Sequence, residues 1–361
     1  MARLTRYLLK LFWSEAMALF AVAAFLLFLI QCLRLFDVVS DKGQNLLTLL
    51  GQSLLGMPAL AIVFLYVCIG IGLGRALRNL QGSSELGVIH SNGLLSALLR
   101  AIGLYTLIGA ALLLLLAHIV DPLSVRSSNQ WSASIAADLV SRSMIPHKFT
   151  ELQSGVSTVI GARDTRGNIT DFFADDARDG AQRRTYFAKS AIITHDDQGY
   201  VLRMHDGAVQ YLTEDKRFSQ ISFQSYDLAL DQLAGTVSND DPLASTTSFE
   251  LVRDALFSGH WSEDVVKTLW KRSAEGLRVL AMCLFVAALA AFPTGNRRGF
   301  VVPIEMAVLG AAFIERAITA YLPGPGLMVA SGSVFVALLG AAILARKLRL
   351  FVPVGIRRAV A

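Results

Sequence analysis

Four groups of polar residues in this 361-residue chain place titratable side chains close enough in sequence to do chemistry. His195, Asp196, Asp197, His205 and Asp206 offer imidazole and carboxylate ligands of the kind that hold a divalent metal. They sit, however, in Asp-Gly-type turn segments, where aspartate is favoured for its hydrogen bonds to nearby backbone. The turn reading is therefore the expected one. Asp175, Asp176 and Asp179 follow Phe172-Phe173 and read as a solvated acidic loop. The segment Gln81-Gly82-Ser83-Ser84-Glu85-Leu86-Gly87-Val88-Ile89-His90-Ser91-Asn92-Gly93 carries one acid, Glu85, between the basic residues Arg75, Arg78 and Arg100. Ser83 or Ser84 can cap a short helix there, Glu85 lies at its positive end, and Gly93 can close it. Such a helix is either a connector or a docking element for a partner. Arg34, Glu315 and Arg316 stand at the ends of apolar runs. They are either interfacial anchors or face a cavity that holds an anionic ligand, since the guanidinium group of arginine matches phosphate bidentately.

Gly-x-Ser-x-Gly, His-Glu-x-x-His and Ser-x-x-Lys patterns are absent, as are a Walker A sequence and a protein-kinase glycine loop. Nothing in the sequence points to an enzyme, and any nucleotide hydrolysis must belong to another subunit.

The elements that position these residues follow from composition. The chain is 54% hydrophobic and 17% charged, with mean hydropathy +0.51. A soluble domain averages about 25% charged residues, so neither an ordinary globule nor a disordered chain fits. The net charge of +5 is unevenly spread. Residues 121–275 hold 22 of the 28 acids and 16 of the 33 bases, a net −6; the remainder carries +11. Outside that middle segment, charges punctuate apolar runs long enough to cross a bilayer core, which takes about 20 helical residues. Six spans are expected, at residues 12–36, 53–76, 99–120, 274–294, 300–320 and 326–347. The first is too long, and too poor in small residues at its end, for a cleaved signal peptide.

Lysine and arginine set the orientation. With the N-terminus inside, residues 1–11, 75–100, 295–299 and 346–361 are cytoplasmic and carry most of the bases outside the middle segment. The segment 121–273 then faces outwards, and the C-terminus is cytoplasmic. The basic excess is thus a topology signal, which removes the nucleic-acid reading. Cys32, Cys68 and Cys283 all lie in apolar helices, so no disulfide staples the outward domain.

Within that domain the pattern has period two. Residues 156–160, 186–193, 200–204, 208–212 and 221–226 read as short strands, separated by turns at 164–168, 196–199 and 205–207. Helical flanks are expected at 126–142 and 248–273. The fold class expected is an α-helical membrane protein of six transmembrane helices (3+3) with an inserted periplasmic β-jelly-roll or sandwich domain. Its parts are helices one to three with a coupling loop (1–120), the β-rich domain (121–273), and helices four to six with a basic tail (274–361).

The chain resembles the lipopolysaccharide export permeases, the LptF/LptG (YjgP/YjgQ) family. The resemblance covers nearly the whole chain. It is carried by Leu4-Thr5-Arg6-Tyr7, Cys32-Leu33-Arg34-Leu35 and above all Ser84-Glu85-Leu86-Gly87-Val88-Ile89-His90-Ser91-Asn92-Gly93-Leu94. Residues 162–169 and Asn296-Arg297-Arg298-Gly299 add weaker support. His90 and Arg34 look closer to the LptF branch. The resemblance implies a subunit that pairs with an LptG-like permease on an LptB-like ATPase dimer, with an LptC-like single-helix periplasmic protein. The assembly extracts lipopolysaccharide from the bacterial inner membrane and passes it to a periplasmic bridge. No cofactor is implied on this chain; ATP is bound by the partner ATPase. Glu85, Leu86, Val88, His90 and Gly93 match the ATPase-coupling segment. Arg34 matches a substrate-side basic residue, and Arg316 is placed similarly by topology. Asp37 and Asp41 make the loop after helix one less basic than expected beside a phosphorylated glycolipid. The alternatives are a membrane-anchored periplasmic sensor or scaffold and a permease of the lipoprotein-release or FtsX-like type.

Overall fold

The computed structural model describes residues 2–41, 46–143, 146–164, 168–179, 182–196, 199–213, 217–229, 241–293, 303–322 and 326–351. The Asn296–Gly299 match, the residues 294–302 around it, Arg166-Gly167, Asp197 and the basic tail from 352 lie outside them. So do the side chains of Asp37, Asp41, His195 and Asp196.

Ten helices and seven strands are described: α1 (Ala2–Asp41), α2 (Leu46–Leu55), α3 (Met57–Gly82), α4 (Glu85–Ser91), α5 (Leu95–Leu115), α6 (Asp121–Ser143), β1 (Thr150–Gln153), β2 (Val156–Val159), β3 (Ala162–Arg163), β4 (Asn168–Asp176), β5 (Gln182–Asp196), β6 (Gly199–Thr213), β7 (Phe218–Ala229), α7 (Ser248–Ser258), α8 (Glu263–Ala290), α9 (Ile304–Tyr321) and α10 (Ser331–Phe351). The helices up to residue 124 and from residue 243 onwards form one compact unit, and Val125–Pro242 forms the other.

Among the described residues, five helical stretches are long and apolar enough to span a membrane: Arg3–Arg34, Met57–Gly82, Leu95–Ser134, Glu263–Ala290 and Met328–Lys347. The third runs from α5 through a single π-turn (Leu116–Val120) into α6, so it extends well beyond residue 120. The fifth expected span corresponds to α9. That helix has only 18 residues and carries Glu305, Glu315 and Arg316. It is not among the five.

One buried cluster joins α1, α3, α4, α5, α8, α9 and α10, with Phe12, Leu65, Ile69, Leu73, Tyr105 and Val286 at its centre. The Tyr105 hydroxyl, buried there, donates to the Ile69 carbonyl (2.9 Å), as a hydroxyl out of water must find an acceptor. Helix α3 makes its contacts through Gly70, Gly72 and Gly74. A Cβ on Gly72 would lie 2.6 Å from the backbone of Ala16 in α1; on Gly70 it would meet Met282 of α8, and on Gly74, Ile304 of α9. Small residues that let helices touch at backbone distance are how membrane helices associate. Gly72→Leu is expected to destabilise the helical unit by about 3 kcal/mol or more, because the obstacle is backbone and cannot rotate away. Gly103→Ala, with nothing within 4 Å of its new Cβ, is the control. Thermal unfolding of both variants in detergent compares them.

The second unit is one antiparallel sheet of order β1-β2-β4-β5-β6-β7, with β3 beside β4. Strands adjacent in sequence are adjacent in space, a meander; the crossing connection of a jelly roll is absent among the described strands. His205-Asp206-Gly207, expected as a turn, lies inside the continuous strand β6. The reason is a crease. Inward-facing residues switch phase on one row across four strands: Ile169 to Phe172 in β4, Ala188 to Ala191 in β5, Met204 to Val209 in β6, and Phe223 to Tyr226 in β7. Asp171 and Asp206 on that row have φ of +48° and +51°, a region aspartate tolerates. The sheet therefore bends while one apolar cluster continues across both halves.

Asp175 and Asp176 are not a solvated loop. They end β4, where Asp175 faces Thr185 and Asp176 faces Arg184 across the ladder. Arg183 donates to Asp175 (2.9 and 2.6 Å), Arg178 to Asp176 (2.8 and 2.7 Å), and Arg203 to Asp227 (2.9 Å). Hydrogen bonding from these arginines lowers all three carboxyl pKa values. A depressed carboxyl adds stability above its unfolded pKa of about 3.9, which is lost as pH falls through the folded value. These three pairs thus predict a β-domain melting midpoint unaffected by them from pH 8 to about 5 and falling below about pH 4. Near-ultraviolet circular dichroism of the tyrosines measures it.

Candidate functional site

The seven-residue helix α4 presents two faces. Leu86 and Ile89 are buried in the helical core; Glu85, Gly87, Val88 and Ser91 are exposed, Val88 by 57%. Neither serine caps it with its side chain. Ser84 takes the N-cap position with φ +65°, and the Ser83 hydroxyl donates to the Glu85 carboxylate (3.1 Å) instead. The C-terminal end behaves as the sequence indicates. Gly93 has φ +69°, its N–H donates to the His90 carbonyl (3.3 Å), and the Leu94 N–H reaches the Ile89 carbonyl (2.9 Å). That pair of bonds is a Schellman closure, which needs the left-handed residue glycine supplies. The chain therefore leaves α4 at a fixed angle into α5.

His90 does not join the exposed face. Its Nε2–H donates to the carbonyl of Ala291 (2.9 Å), and its ring lies 5.7 Å from that of Phe292. Ala291 caps the C-terminus of α8. Lys347 of α10 reaches the same end, donating to the Leu289 carbonyl (2.8 Å) with its ammonium 5.9 Å from the Phe292 ring. The last carbonyls of a helix lack intrahelical donors and carry partial negative charge, so a histidine and a lysine suit them. The result joins α4 and α10 to the end of α8. On the same unit Arg75 of α3 pairs with Glu305 of α9 (3.2 Å), and Asn79 donates to Glu15 of α1 (3.3 Å).

The second group lies in α8, α9 and α10. Arg278 is 5% exposed at its side chain and pairs with two carboxylates, Glu275 and Glu315. Its Nε–H donates to Glu315 Oε1 at 2.9 Å. The Ser333 hydroxyl donates to the same oxygen (3.2 Å) and the Thr319 hydroxyl lies 3.4 Å from it. Arg316 is held differently. Its guanidinium lies over the ring of Tyr66 in α3 (5.6 Å to the centroid), and its Nε is 3.8 Å from Glu315 Oε2. Two arginines against two glutamates make the group electrically neutral, which is what burying charge in an apolar unit requires. Arg34, in the last part of α1, is exposed.

So the expected coupling residues divide between two faces of α4, Glu85 and Val88 outward and Leu86 and His90 inward. Arg316 was singled out by its position at the end of an apolar run. Its neighbours Glu275 and Arg278 were not, because in sequence they only mark where an apolar run begins. The i,i+3 spacing of Glu275 and Arg278 was the available signal.

The model of the family described as lipopolysaccharide export system permease LptF/LptG matches residues 6–346. The chain belongs to that family. No curated protein shows a significant match to it. LptF/LptG proteins are transmembrane permease subunits of the inner membrane that export lipopolysaccharide, which fits the apolar helices and inserted sheet described above.

Proposed function

We propose that this chain is the LptF-type half of a permease pair seated on an LptB-like ATPase dimer, with an LptG-like second half and an LptC-like periplasmic partner. The observation that carries it is α4: a helix closed at Gly93, with Glu85 and Val88 exposed on one face and His90 tied to the end of α8 on the other. Glu85 and Val88 meet the ATPase, Leu86 and Ile89 hold α4 in the core, and His90 passes displacement of α4 to α8. Gly93 fixes the exit angle. ATP binds only to the partner, and this chain needs no cofactor.

Six spans are proposed, α9 being the fifth. Its support is that Glu315 is paired inward and does not face lipid. The termini are then cytoplasmic and the β-domain periplasmic. Arg34 and Arg316 are proposed to contact the phosphates of lipid A while the helices shelter acyl chains. Extracting those chains exposes apolar surface worth about 0.8 kcal/mol per CH₂, which is why ATP hydrolysis is needed.

Co-purification of the tagged chain, with mass spectrometry of bound proteins and lipid, tests the reading. An ABC ATPase and lipopolysaccharide are expected; a β-domain that binds its partner alone, with no ATPase on the full chain, supports the sensor alternative and overturns this one. A cysteine at position 322 labelled from the periplasmic side is expected for six spans.

A further inference from the structure

Every partner of Glu315 within hydrogen-bond range sits on one oxygen. Oε1 takes Arg278, Ser333 and the Thr319 hydroxyl, while Oε2 is buried and accepts nothing from the described residues. The side chain is 3% exposed, so it cannot swing out. Arg316 Nε lies 3.8 Å from Oε2, too far for a hydrogen bond. Adjacent helical residues point about 100° apart, so this pair cannot close into a bidentate contact. Arg316 meanwhile keeps capacity. Its side chain is 38% exposed, it rests on the Tyr66 ring, and its Nη2 is buried with no acceptor. A partly exposed arginine with one donor nitrogen unspent stands beside a locked carboxylate that it can feel but not grasp.

We propose that Glu315 is a positioning residue that sets how tightly Arg316 holds a phosphate of the substrate, acting as a weak built-in counter-ion. This rests on the reading above that Arg316 meets lipid A. A phosphate monoester accepts from the exposed part of the guanidinium and displaces the loose carboxylate from competition. Arg278 then keeps the charge of Glu315 compensated, so Glu315 stays where it is and attracts Arg316 back when the phosphate leaves. A transport site must bind strongly enough to load and weakly enough to unload. A carboxylate fixed at this distance meets both needs.

The test uses the full chain in its assembled complex, in nanodiscs, with bisphosphorylated and dephosphorylated lipid A as probes. Glu315→Gln keeps the acceptor for Arg278 and removes the charge. It is expected to tighten apparent affinity for the bisphosphorylated probe about fivefold, the size of a partly exposed ion pair, and to lower turnover at saturation. The dephosphorylated probe should be unaffected, and Glu315→Gln should add nothing in an Arg316→Ala background. The same tightening with the dephosphorylated probe, or in that background, overturns the proposal. If Arg316→Ala weakens phosphate binding but Glu315→Gln changes nothing, the proposal alone fails. If Arg316→Ala leaves binding unchanged, the substrate contact fails and the proposal with it. Glu315→Asp covers the case in which the glutamine variant does not assemble: drawing the charge back from Arg316 should shift affinity the same way by a smaller factor, and no shift counts against the proposal.

Discussion

Glu85→Arg is expected to abolish complementation and to weaken association with the ATPase by about 100-fold. The estimate follows from what the substitution does and does not disturb. Glu85 is exposed, and the hydrogen bond recorded for its carboxylate is from the Ser83 hydroxyl. An acid in the first turn of a helix is worth about 0.3–1 kcal/mol. The Schellman closure at Gly93 and the burial of Leu86 and Ile89 lie away from it. So α4 persists in the variant, and the chain remains folded. The proposed docking contact does not persist. Reversing a charge at a complementary interface costs about 2–5 kcal/mol, because the partner's group loses its counter-charge and meets a like one. Pull-down of the ATPase by the folded variant, alongside Glu85→Gln as an intermediate, measures it. An Arg variant that still captures the ATPase and complements removes Glu85 from the coupling role.

Much of this helix was legible because its signals are local. An acid in the first turn, apolar residues at Leu86 and Ile89, and glycine at the exit all fall within one short segment. Five of the six expected spans were legible for the same reason, since the absence of charge is read directly along the chain. What was not legible is pairing across distance. Glu315 looked like an anchor at a helix end, yet its partner Arg278 is 37 residues away on another helix. His90 matched a docking segment, yet its partner Ala291 lies 201 residues on. The crease in the sheet was missed because His205-Asp206-Gly207 carries the residues of a turn. Asp206 does take the left-handed conformation a turn would use, but β5 and β7 flank it on both sides and the ladder resumes. Turn chemistry there bends a strand without ending it.

The buried charges yield the other large expected effect. Arg278→Met should leave Glu275 and Glu315 with no cation in hydrogen-bond contact inside the helical unit. Removing one member of a buried pair costs about 3–5 kcal/mol, since the remaining charge is neither solvated nor compensated. Two carboxylates depend on this one guanidinium. Arg316 does not replace it, since its Nε lies 3.8 Å from Glu315 Oε2, beyond hydrogen-bond range. The single variant is therefore expected to fail to assemble or to melt far below the parent. The same physics predicts recovery. Arg278→Met combined with Glu275→Gln and Glu315→Gln removes the charges together, and neutral groups of similar volume are often tolerated as well as the pair they replace. The triple variant should regain most of the lost thermal stability in detergent. Transport by that triple variant then separates two roles of the group. A stable complex that still moves lipid makes the buried charges a packing device. A stable complex that binds lipid and does not release it makes the fixed charge of Glu315 part of unloading.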